Sequence, residues 1–310
     1  MISAQNVDYR YPSGKRALSG INLSVERGEF VAVVGHNGSG KSTLALLLSG
    51  LEYPTKGEVT VNGISTRQKN RFLELRKQVG IVFQNPENQL VFEKVRDDIT
   101  FGLKNIGLEQ EAIDRRIDAI TRKLHIEHFT DSFALSMGQK QRVAIASVLA
   151  MEPECIIFDE PTAMLDPKGK KEIHKVIVEL HEQGLTIVYV TNVIDEVLSA
   201  DRIVILENGV IKGEYRRGEL FDNIGHLREA GLEPPLIMDL LFRLKQRGVN
   251  VVVKRWAIED VVDELAGYIE QCRAGPSGIE QPPTEQPRTE QSRTEPYRAV
   301  PGGVPHGELC

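Results

Sequence analysis

One glycine-rich segment restricts the fold more than any other part of the sequence: VAVVGHNGSGKSTLALLLSG, residues 31–50. Its pattern G-x-x-x-x-G-K-S runs from Gly35 to Ser42, after an apolar strand pattern and before a helical pattern. Glycines allow backbone N–H groups to turn inward around phosphate oxygens, and the following helix directs its positive end to the same point. The alternative is a glycine-rich turn without a ligand, but the two flanking patterns favour a phosphate-binding loop.

Two residues of this loop have side chains suited to a nucleotide and its metal ion. Lys41 is expected to contact the β- and γ-phosphates, and Ser42 is expected to bind Mg²⁺. The predicted nucleotide contacts of the whole loop are Gly35, Asn37, Gly38, Gly40, Lys41, Ser42 and Thr43.

Four short runs are apolar throughout: FVAVV (30–34), GIVF (80–83), CIIF (155–158) and TIVYV (186–190). Because continuous apolarity indicates strands buried on both faces, these runs predict a parallel sheet flanked by helices. The runs INLSVERG and GEVTVNG instead alternate apolar and polar residues and end in turn residues, which predicts an added antiparallel β layer. Residues 1–215 are therefore predicted to form one α/β domain.

An acidic pair follows the third apolar run, in CIIFDEPT. Asp159 and Glu160 are candidate functional residues, because ligands of open α/β sheets bind at the carboxyl ends of the strands. Asp159 is expected to hold Mg²⁺ through its water shell, and Glu160 to orient or deprotonate an attacking water. A solvated acidic turn is the alternative.

Charge and composition exclude several classes of function. A net charge of −6 provides no overall basic excess for a nucleic-acid backbone, so no nucleic-acid partner is expected. The three cysteines are widely separated and lack a metal-ligand spacing, which suits a reducing cytosol. No apolar run approaches the roughly 18 residues that span a bilayer, and the first residues lack a signal-peptide pattern. Any membrane role is expected to come through a partner.

The residues after the α/β part form two further segments. Residues 216–272 are predicted to be a C-terminal helical extension that either packs on its own domain or serves as a dimerisation module. Its two apolar stripes consist of Leu236, Ile237, Leu240, Leu241 and Leu244, and of Ile258, Val261, Val262, Leu265 and Ile269. Residues 273–310 contain the units TEQPR, TEQSR and TEPYR in a Pro- and Gly-rich stretch, which predicts a low-complexity disordered tail.

A further motif, FALSMGQKQRVAIASVLA, places Ser136, Gly138 and Gln139 at the start of a helix, about twenty residues before the acidic pair. At this point residues 1–215 resemble the ATP-binding subunits of ABC transporters, whose signature reads LSGGQ at the same place. The resemblance implies a P-loop NTPase fold with a helical signature subdomain at about residues 88–152. It also implies that the three signature residues bind the ATP of a partner subunit.

Four other motifs occur in the order found in that family. Tyr11 in YRYP resembles the aromatic residue that stacks on adenine. Gln84 in IVFQNPENQ matches the Q-loop glutamine, which in the family touches Mg²⁺ or water and senses the membrane partner. Asp166 in MLDP matches a loop that crosses between two subunits, and Asn192 occupies the position of the family's switch histidine. The resemblance implies ATP and Mg²⁺ as cofactors, with the metal held by Ser42, Asp159 and Gln84.

Within that family, the segment FQNPENQLVFEKVRDDITFGL and the extension after residue 215 look most like the ATPases of energy-coupling-factor transporters. In this group a second glutamine, here Gln89, follows the Q-loop, and the extension helps to pair two ATPases. The resemblance implies a homodimer or heterodimer of ATPase subunits on a transmembrane scaffold protein, with a membrane protein that captures vitamins or metal ions. It also implies a peripheral location at the cytoplasmic face of the plasma membrane.

Two positions depart from the family pattern. Asn192 can donate one hydrogen bond but cannot carry an imidazolium charge, so hydrolysis at this chain's own phosphate loop is expected to slow by up to roughly 10²–10³-fold. Met137 replaces the first signature glycine; if that position needs φ > 0, methionine costs about 1–2 kcal/mol and crowds the partner's phosphate. His36, His174 and His181 are alternative switch residues, but the sequence places none of them at a strand end facing the phosphate.

The primary hypothesis is an ATP-binding and ATP-hydrolysing subunit that energises a membrane importer of the energy-coupling-factor type. The second is an ATP-gated regulatory or structural subunit with weak or no hydrolysis, suggested by Asn192 and Met137. A third is a soluble ABC ATPase of DNA repair or ribosome function. Such proteins usually carry a coiled-coil insertion or two cassettes in one chain, and this sequence has neither.

Overall fold

The structure is a computed structural model that describes residues 1–216, 219–249 and 258–273. The strands within these residues are β1 (Ile2–Arg10), β2 (Arg16–Val25), β3 (Phe30–Val34), β4 (Lys56–Val61), β5 (Ile64–Ser65), β6 (Val79–Val82), β7 (Cys155–Asp159), β8 (Thr186–Thr191), β9 (Arg202–Glu207) and β10 (Val210–Arg216). The α-helices are α1 (Lys41–Leu48), α2 (Phe72–Gln78), α3 (Val95–Asn105), α4 (Gln110–Lys123), α5 (Met137–Leu149), α6 (Pro167–Glu182), α7 (Glu219–Asp222), α8 (Ile224–Glu229), α9 (Leu236–Gln246) and α10 (Ile258–Arg273).

The central sheet has six strands in the order β10-β9-β3-β8-β7-β6. The strands from β9 to β6 run parallel, and β10 pairs antiparallel with β9 at the edge. All four continuous apolar runs lie in or at the end of these parallel strands, and every residue of β3 and β8 is buried. The predicted parallel core sheet is confirmed: because both faces are covered, polar side chains have no place along the central strands.

A second sheet has four strands in the order β2-β1-β4-β5. The two alternating runs of the sequence form parts of β2 and β4, and each pairs antiparallel with β1. In β2 the apolar residues Ile21, Leu23 and Val25 are buried while the residues between them are exposed. The predicted antiparallel layer is therefore confirmed.

The hydrophobic core lies on both faces of the central sheet. Phe30, Ala32 and Val34 of β3 contribute to a cluster with the helices that follow β6, whereas Val31 and Val33 contribute to a cluster with α1 and the antiparallel sheet. This division follows from the two-residue period of a strand, which sends successive side chains to opposite faces. Strand β3 is thus fixed from both sides immediately before the glycine-rich loop.

The helices α3, α4 and α5 come between β6 and β7 in the chain and pack against one another. Asp98 is a buried carboxylate at the base of α3 that accepts hydrogen bonds from the N–H groups of Val91 and Phe92 and from Ser132 Oγ. These bonds connect the two ends of the helical segment, because residues 91–92 precede α3 and Ser132 follows α4. The boundary of a helical subdomain at about 88–152 remains a prediction.

The C-terminal extension packs partly on the main core. Leu220, Ile224, Leu227 and Met238 belong to the same buried cluster as β3, as does Leu232. The residues of the two predicted apolar stripes are partly buried and partly exposed, and the choice between packing on this domain and dimerisation stays a prediction. In α9, Leu241 is buried but Leu236 and Leu240 are exposed; in α10, Val261 is buried but Val262 and Ile269 are exposed.

Of the predicted tail, residues 274–310 lie outside the described residues. Among residues 1–216, 219–249 and 258–273, no helix combines the length and the apolarity needed to cross a bilayer.

Candidate functional site

The glycine-rich loop connects β3 to α1, and two of its positions have a local geometry that favours glycine. Gly40 caps α1 with a left-handed backbone at φ 106°, a conformation that disfavours residues with a Cβ. A Cβ on Gly35 would overlap the carbonyl oxygen of Leu206 on the neighbouring strand β9. The loop therefore approaches the sheet closely and turns sharply into α1, whose first N–H groups have no acceptor within the helix and are free to bind an anion.

Lys41 directs its ammonium group back into this loop. Its Nζ donates to the carbonyl oxygens of Gly35 at 2.9 Å and His36 at 3.2 Å, and it lies 3.5 Å from Glu160 Oε1. The lysine side chain is only 4 % exposed, so its charge is held in place by these contacts. A buried cation enclosed by a loop of backbone N–H groups is an arrangement that attracts phosphate.

Ser42 and Asp159 form the next pair. Ser42 Oγ donates to Asp159 Oδ1 at 3.0 Å, which joins the start of α1 to the end of β7. Burial raises the pKa of Asp159 to about 6, although the hydrogen bond from Ser42 and the charge of Lys41 oppose this change. A hydroxyl and a carboxylate at this spacing are hard oxygen donors, which fits a magnesium ion shared with nucleotide phosphates.

Glu160 is held between two strand ends. Its Oε2 accepts a hydrogen bond from Gln84 Nε2 at 2.9 Å, and its backbone N–H donates to Val190 O at 2.9 Å. The backbone of Glu160 has φ 47°, in the left-handed region that costs a non-glycine residue about 1–2 kcal/mol. Strain of this kind persists only where the surrounding contacts fix the residue, which is typical of functional sites.

The glutamine loop is connected to the signature helix α5. The N–H of Phe83, the residue before Gln84, donates to Gln89 Oε1 at 3.4 Å, and its carbonyl accepts from Gln141 Nε2 at 3.3 Å. Gln89 in turn donates to Ala144 O at 3.0 Å. The second glutamine of the sequence motif therefore fixes the loop to α5.

Asn192 follows β8 and reaches the phosphate loop. Its Nδ2 donates to Asn37 Oδ1 at 3.3 Å, so the residue at the switch position contacts the loop directly. The three histidines considered as substitutes make other contacts. His36 Nδ1 bonds to Asn37 O, His174 Nε2 to Glu196 O, and His181 pairs with Asp201.

Tyr11 lies beside the start of α1. Its hydroxyl is 2.7 Å from Thr43 Oγ1, and its ring meets the ring of Tyr9 edge to face with centroids 5.1 Å apart. The Tyr11 side chain remains accessible while these two contacts fix its position. An exposed aromatic ring next to a phosphate loop is suited to stack on a base.

The signature residues form a capping box at the start of α5. Ser136 Oγ accepts from the N–H of Gln139, and Gln139 Oε1 accepts from the N–H of Ser136. Met137 is the first residue of the helix and has no positive φ, so the condition for a strain cost at this position is not met. Its side chain is half-buried against the core, as follows from its place on the inner side of the helix.

The structure thus brings the predicted residues into two groups. The first lies around the phosphate loop, and the second is the amino end of α5, which has no hydrogen bond to that loop in the described part of the chain. Asp166 belongs to neither group: its carboxylate caps α6 by accepting from the N–H of Gly169 at 3.0 Å.

Sequence reasoning missed Glu196, which lies four residues after Asn192. Its carboxylate accepts hydrogen bonds from the hydroxyl groups of Thr162, Tyr189 and Thr191. The available signal was a second acidic pair, Asp195-Glu196, shortly after the buried strand β8.

Comparisons with known proteins agree with this geometry. Residues 18–163 match the family described as ABC transporter. The chain is 42 % identical over 272 residues to the energy-coupling factor transporter ATP-binding protein EcfA1 of Clostridium novyi, covering 86 % of this chain and 97 % of that one. It is 44 % identical over 253 residues to EcfA of Methanosarcina acetivorans, covering 81 % and 92 %.

Two solved structures have the same fold. One is cbiO1 from Clostridium perfringens, described as part of an ABC transporter complex, with a TM-score of 0.66, 38 % identity and coverage of 77 % of this chain and 97 % of that one. The other is an ATP-binding cassette in a dimeric post-hydrolysis state with ADP and Pi, with a TM-score of 0.64, 32 % identity and coverage of 70 % and 99 %. The predicted P-loop fold of the ABC ATPases is confirmed, and the chain belongs to the family of energy-coupling factor transporter ATP-binding proteins.

Proposed function

We propose that this chain binds and hydrolyses ATP as the peripheral subunit that energises a membrane importer of the energy-coupling-factor type. The observation that carries this proposal is the convergence of Lys41, Gln84, Glu160 and Asn192 at the carboxyl edge of one parallel sheet. The relatives do not favour a mainly regulatory subunit or a soluble ATPase of DNA repair or ribosome function.

ATP binding is assigned to the phosphate loop and Tyr11. Phosphates fit against the N–H groups of Gly38, Gly40 and the start of α1, beside the ammonium group of Lys41. The adenine ring stacks on Tyr11, which its bond to Thr43 fixes near the start of α1.

Ser42, Asp159 and Gln84 are the residues that would hold Mg²⁺. The metal ion neutralises phosphate charge when it is bound. Asp159 supplies a carboxylate at the end of β7, and its bond to Ser42 Oγ at 3.0 Å keeps both oxygens on the same side of the loop. Gln84 Nε2 donates to Glu160, which connects this proposed metal ligand to the proposed base.

Glu160 is the proposed general base for the attacking water. Gln84 donates to one carboxylate oxygen, and the Lys41 ammonium lies near the other, so the carboxylate has a fixed orientation. A positioned carboxylate of this kind contributes roughly 10²–10⁴-fold to a reaction rate. Asn192, whose Nδ2 donates to Asn37 of the phosphate loop, is the proposed hydrogen-bond donor to the γ-phosphate in place of a histidine.

The signature end of α5 is assigned to the ATP of a second ATPase subunit. Among the described residues, no hydrogen bond joins Ser136, Gly138 or Gln139 to this chain's own phosphate loop, and the capping box gives α5 an ordered amino end. The exposed Asp166 loop faces the same partner. Pairing of two chains therefore builds each site from the phosphate loop of one and α5 of the other.

A groove beside the glutamine loop is the proposed contact for the transmembrane scaffold, with which the substrate-capture protein assembles. It has a volume of about 570 Å³, lies between α2 and α3, and includes both Phe83 and Gln89. Phe72, Leu73 and Phe101 line it and are exposed. An apolar helix end in this groove would press on Gln84 through Phe83, which connects the ATP site to the partner at the cytoplasmic membrane face.

Replacing the proposed base gives the most direct test. We expect Glu160→Gln to lower steady-state phosphate release by at least roughly 10²-fold while ATP binding is retained, because the amide cannot accept the water's proton. Light scattering should then detect an ATP-loaded pair of subunits. Glu154→Gln is the matched control: Glu154 directly precedes β7, at the end opposite to Glu160, so this variant should retain turnover. Full turnover of Glu160→Gln would remove Glu160 from this role.

Restoring histidine tests the importance of the switch position. We expect Asn192→His to raise the rate of phosphate release by tenfold or more, and up to roughly 10²–10³-fold, because an imidazole provides a stronger preorganised donor. Asn208→His, in the exposed turn between β9 and β10, is the control. An unchanged rate would mean that asparagine is sufficient at this position.

The buried Asp159 carboxylate predicts a pH-dependent stability. The pKa of Asp159 is raised to about 6 in the folded protein, so the folded protein binds a proton at this carboxylate more tightly than the unfolded chain does. Above pH 6 the carboxylate is ionised and destabilises the fold. In the absence of nucleotide and metal, Asp159→Asn should increase the free energy of unfolding at pH 7.5 by an amount on the order of 2 kcal/mol. The difference should vanish as the pH falls to about 4, as measured by urea denaturation. A lower free energy of unfolding for Asp159→Asn than for the wild type at pH 7.5 would contradict this prediction.

Introducing a charge into the groove tests the membrane contact. We expect Phe101→Asp to reduce co-purification with the importer's membrane components at least tenfold, since a charge in an apolar contact costs more than about 1.4 kcal/mol. Basal ATP hydrolysis of the separate subunit should be unchanged. Val210→Asp, on the strand at the opposite edge of the sheet, is the control. Normal assembly of Phe101→Asp would exclude this docking site.

A further inference from the structure

We infer that Glu196 is a positioning residue for hydrolysis, because its carboxylate joins the segment that carries Glu160 to the segment that carries Asn192. This inference rests on the proposed function. Glu196 lies in a short 3-10 turn, Ile194–Val197, directly after β8.

The two carboxylate oxygens of Glu196 contact different parts of the site. Oε1 accepts a hydrogen bond from Thr162 Oγ1 at 2.6 Å. Oε2 accepts from Tyr189 OH and from Thr191 Oγ1, each at 3.1 Å. The backbone carbonyl of Glu196 is 2.8 Å from His174 Nε2, which connects the turn to α6. One side chain therefore connects β8, the residues after β7, and the turn itself.

The contact with Thr162 reaches Glu160 through a short and stiff segment. Only Pro161 separates the two residues, and its ring fixes one backbone dihedral angle. Thr162 is almost fully buried, and Glu160 has the left-handed backbone that needs support from its surroundings. Releasing the Thr162 hydroxyl would allow this segment to relax and move the Glu160 carboxylate away from the water that it must orient.

The contact with Thr191 reaches Asn192 on the other side. Thr191 precedes Asn192 and is buried, and its Oγ1 also accepts from the N–H of Val193 at 3.0 Å. Asn192 thus lies between Thr191 and Val193, and the hydrogen bonds of the Thr191 hydroxyl group hold both of these neighbours. Since Thr191 donates its proton to Glu196, the carboxylate fixes which way this hydroxyl points.

The donors to Glu196 named above are neutral hydroxyl groups, and no lysine or arginine forms an ion pair with it in the described part of the chain. A half-buried carboxylate without a cation costs desolvation energy, and glutamine could replace it if stability alone were required. A carboxylate is the group that accepts bonds at both oxygens at once, whereas glutamine has one acceptor oxygen. The two acceptor oxygens of Glu196 therefore set the direction of its hydrogen bonds with Thr162 and Thr191, and an amide nitrogen would reverse one of them.

The test compares matched variants of the three hydroxyl donors in the full-length protein. We expect Thr162→Val and Thr191→Val to lower the turnover number for ATP about fivefold to tenfold, with the Kd for ATP changed less than twofold. Thr162→Ser and Thr191→Ser retain the hydroxyl and should restore turnover. Tyr189→Phe removes one of the two bonds to Oε2 but leaves the hydroxyl groups of Thr162 and Thr191 in place, so it should lower turnover less than either valine variant.

Glu196→Gln should show the same loss of turnover without loss of ATP affinity. The inference is overturned if the valine variants keep wild-type turnover, if serine fails to rescue them, or if Tyr189→Phe loses turnover to the same extent. If wild-type hydrolysis depends on Glu160 but the valine variants are fully active, only the role of Glu196 is rejected and the proposed function stands. A wild type that does not hydrolyse ATP in the assembled importer would reject the proposed function as well.

Discussion

The common direction of the parallel strands is the constraint on which the site depends. Because β3, β6, β7 and β8 are parallel neighbours, their carboxyl ends lie at one edge of the sheet. Each strand delivers its functional residues there directly, so their spacing is set by strands about 4.8 Å apart. The buried apolar strands thereby determine the position of polar residues that are far apart in the chain, such as Ser42 and Asp159.

The sequence predicted the elements of this site because local patterns specify them. Continuous apolar runs, a glycine-rich turn and residues at strand ends are all visible in a single segment. It could not predict contacts between segments, such as the bonds that Gln89 and Gln141 make to the backbone of Phe83. Nor could it reveal that Met137 has helical φ and ψ angles, since the cost of a side chain depends on a dihedral angle that sequence does not show.

The helical stripes after residue 215 illustrate a second limit. Helical spacing identifies residues that share a face, but it does not determine which part of the face meets the core. In α9 the buried residues are Met238 and Leu241, one turn apart, and α9 packs against α7. Met238 was absent from the predicted stripe, and exposed Leu236 and Leu240 were included in it.

The two departures from the family pattern have unequal consequences. Met137 begins a regular, capped helix, so the signature end of this chain retains its form and can complete the site on a partner's phosphate loop. Asn192 contacts this chain's own phosphate loop and lacks the charge of a histidine. In a homodimer both sites would contain asparagine. In a heterodimer with a histidine-bearing partner, only the site on this chain would be slow, and the partner's site, completed by this chain's α5, would perform most of the hydrolysis.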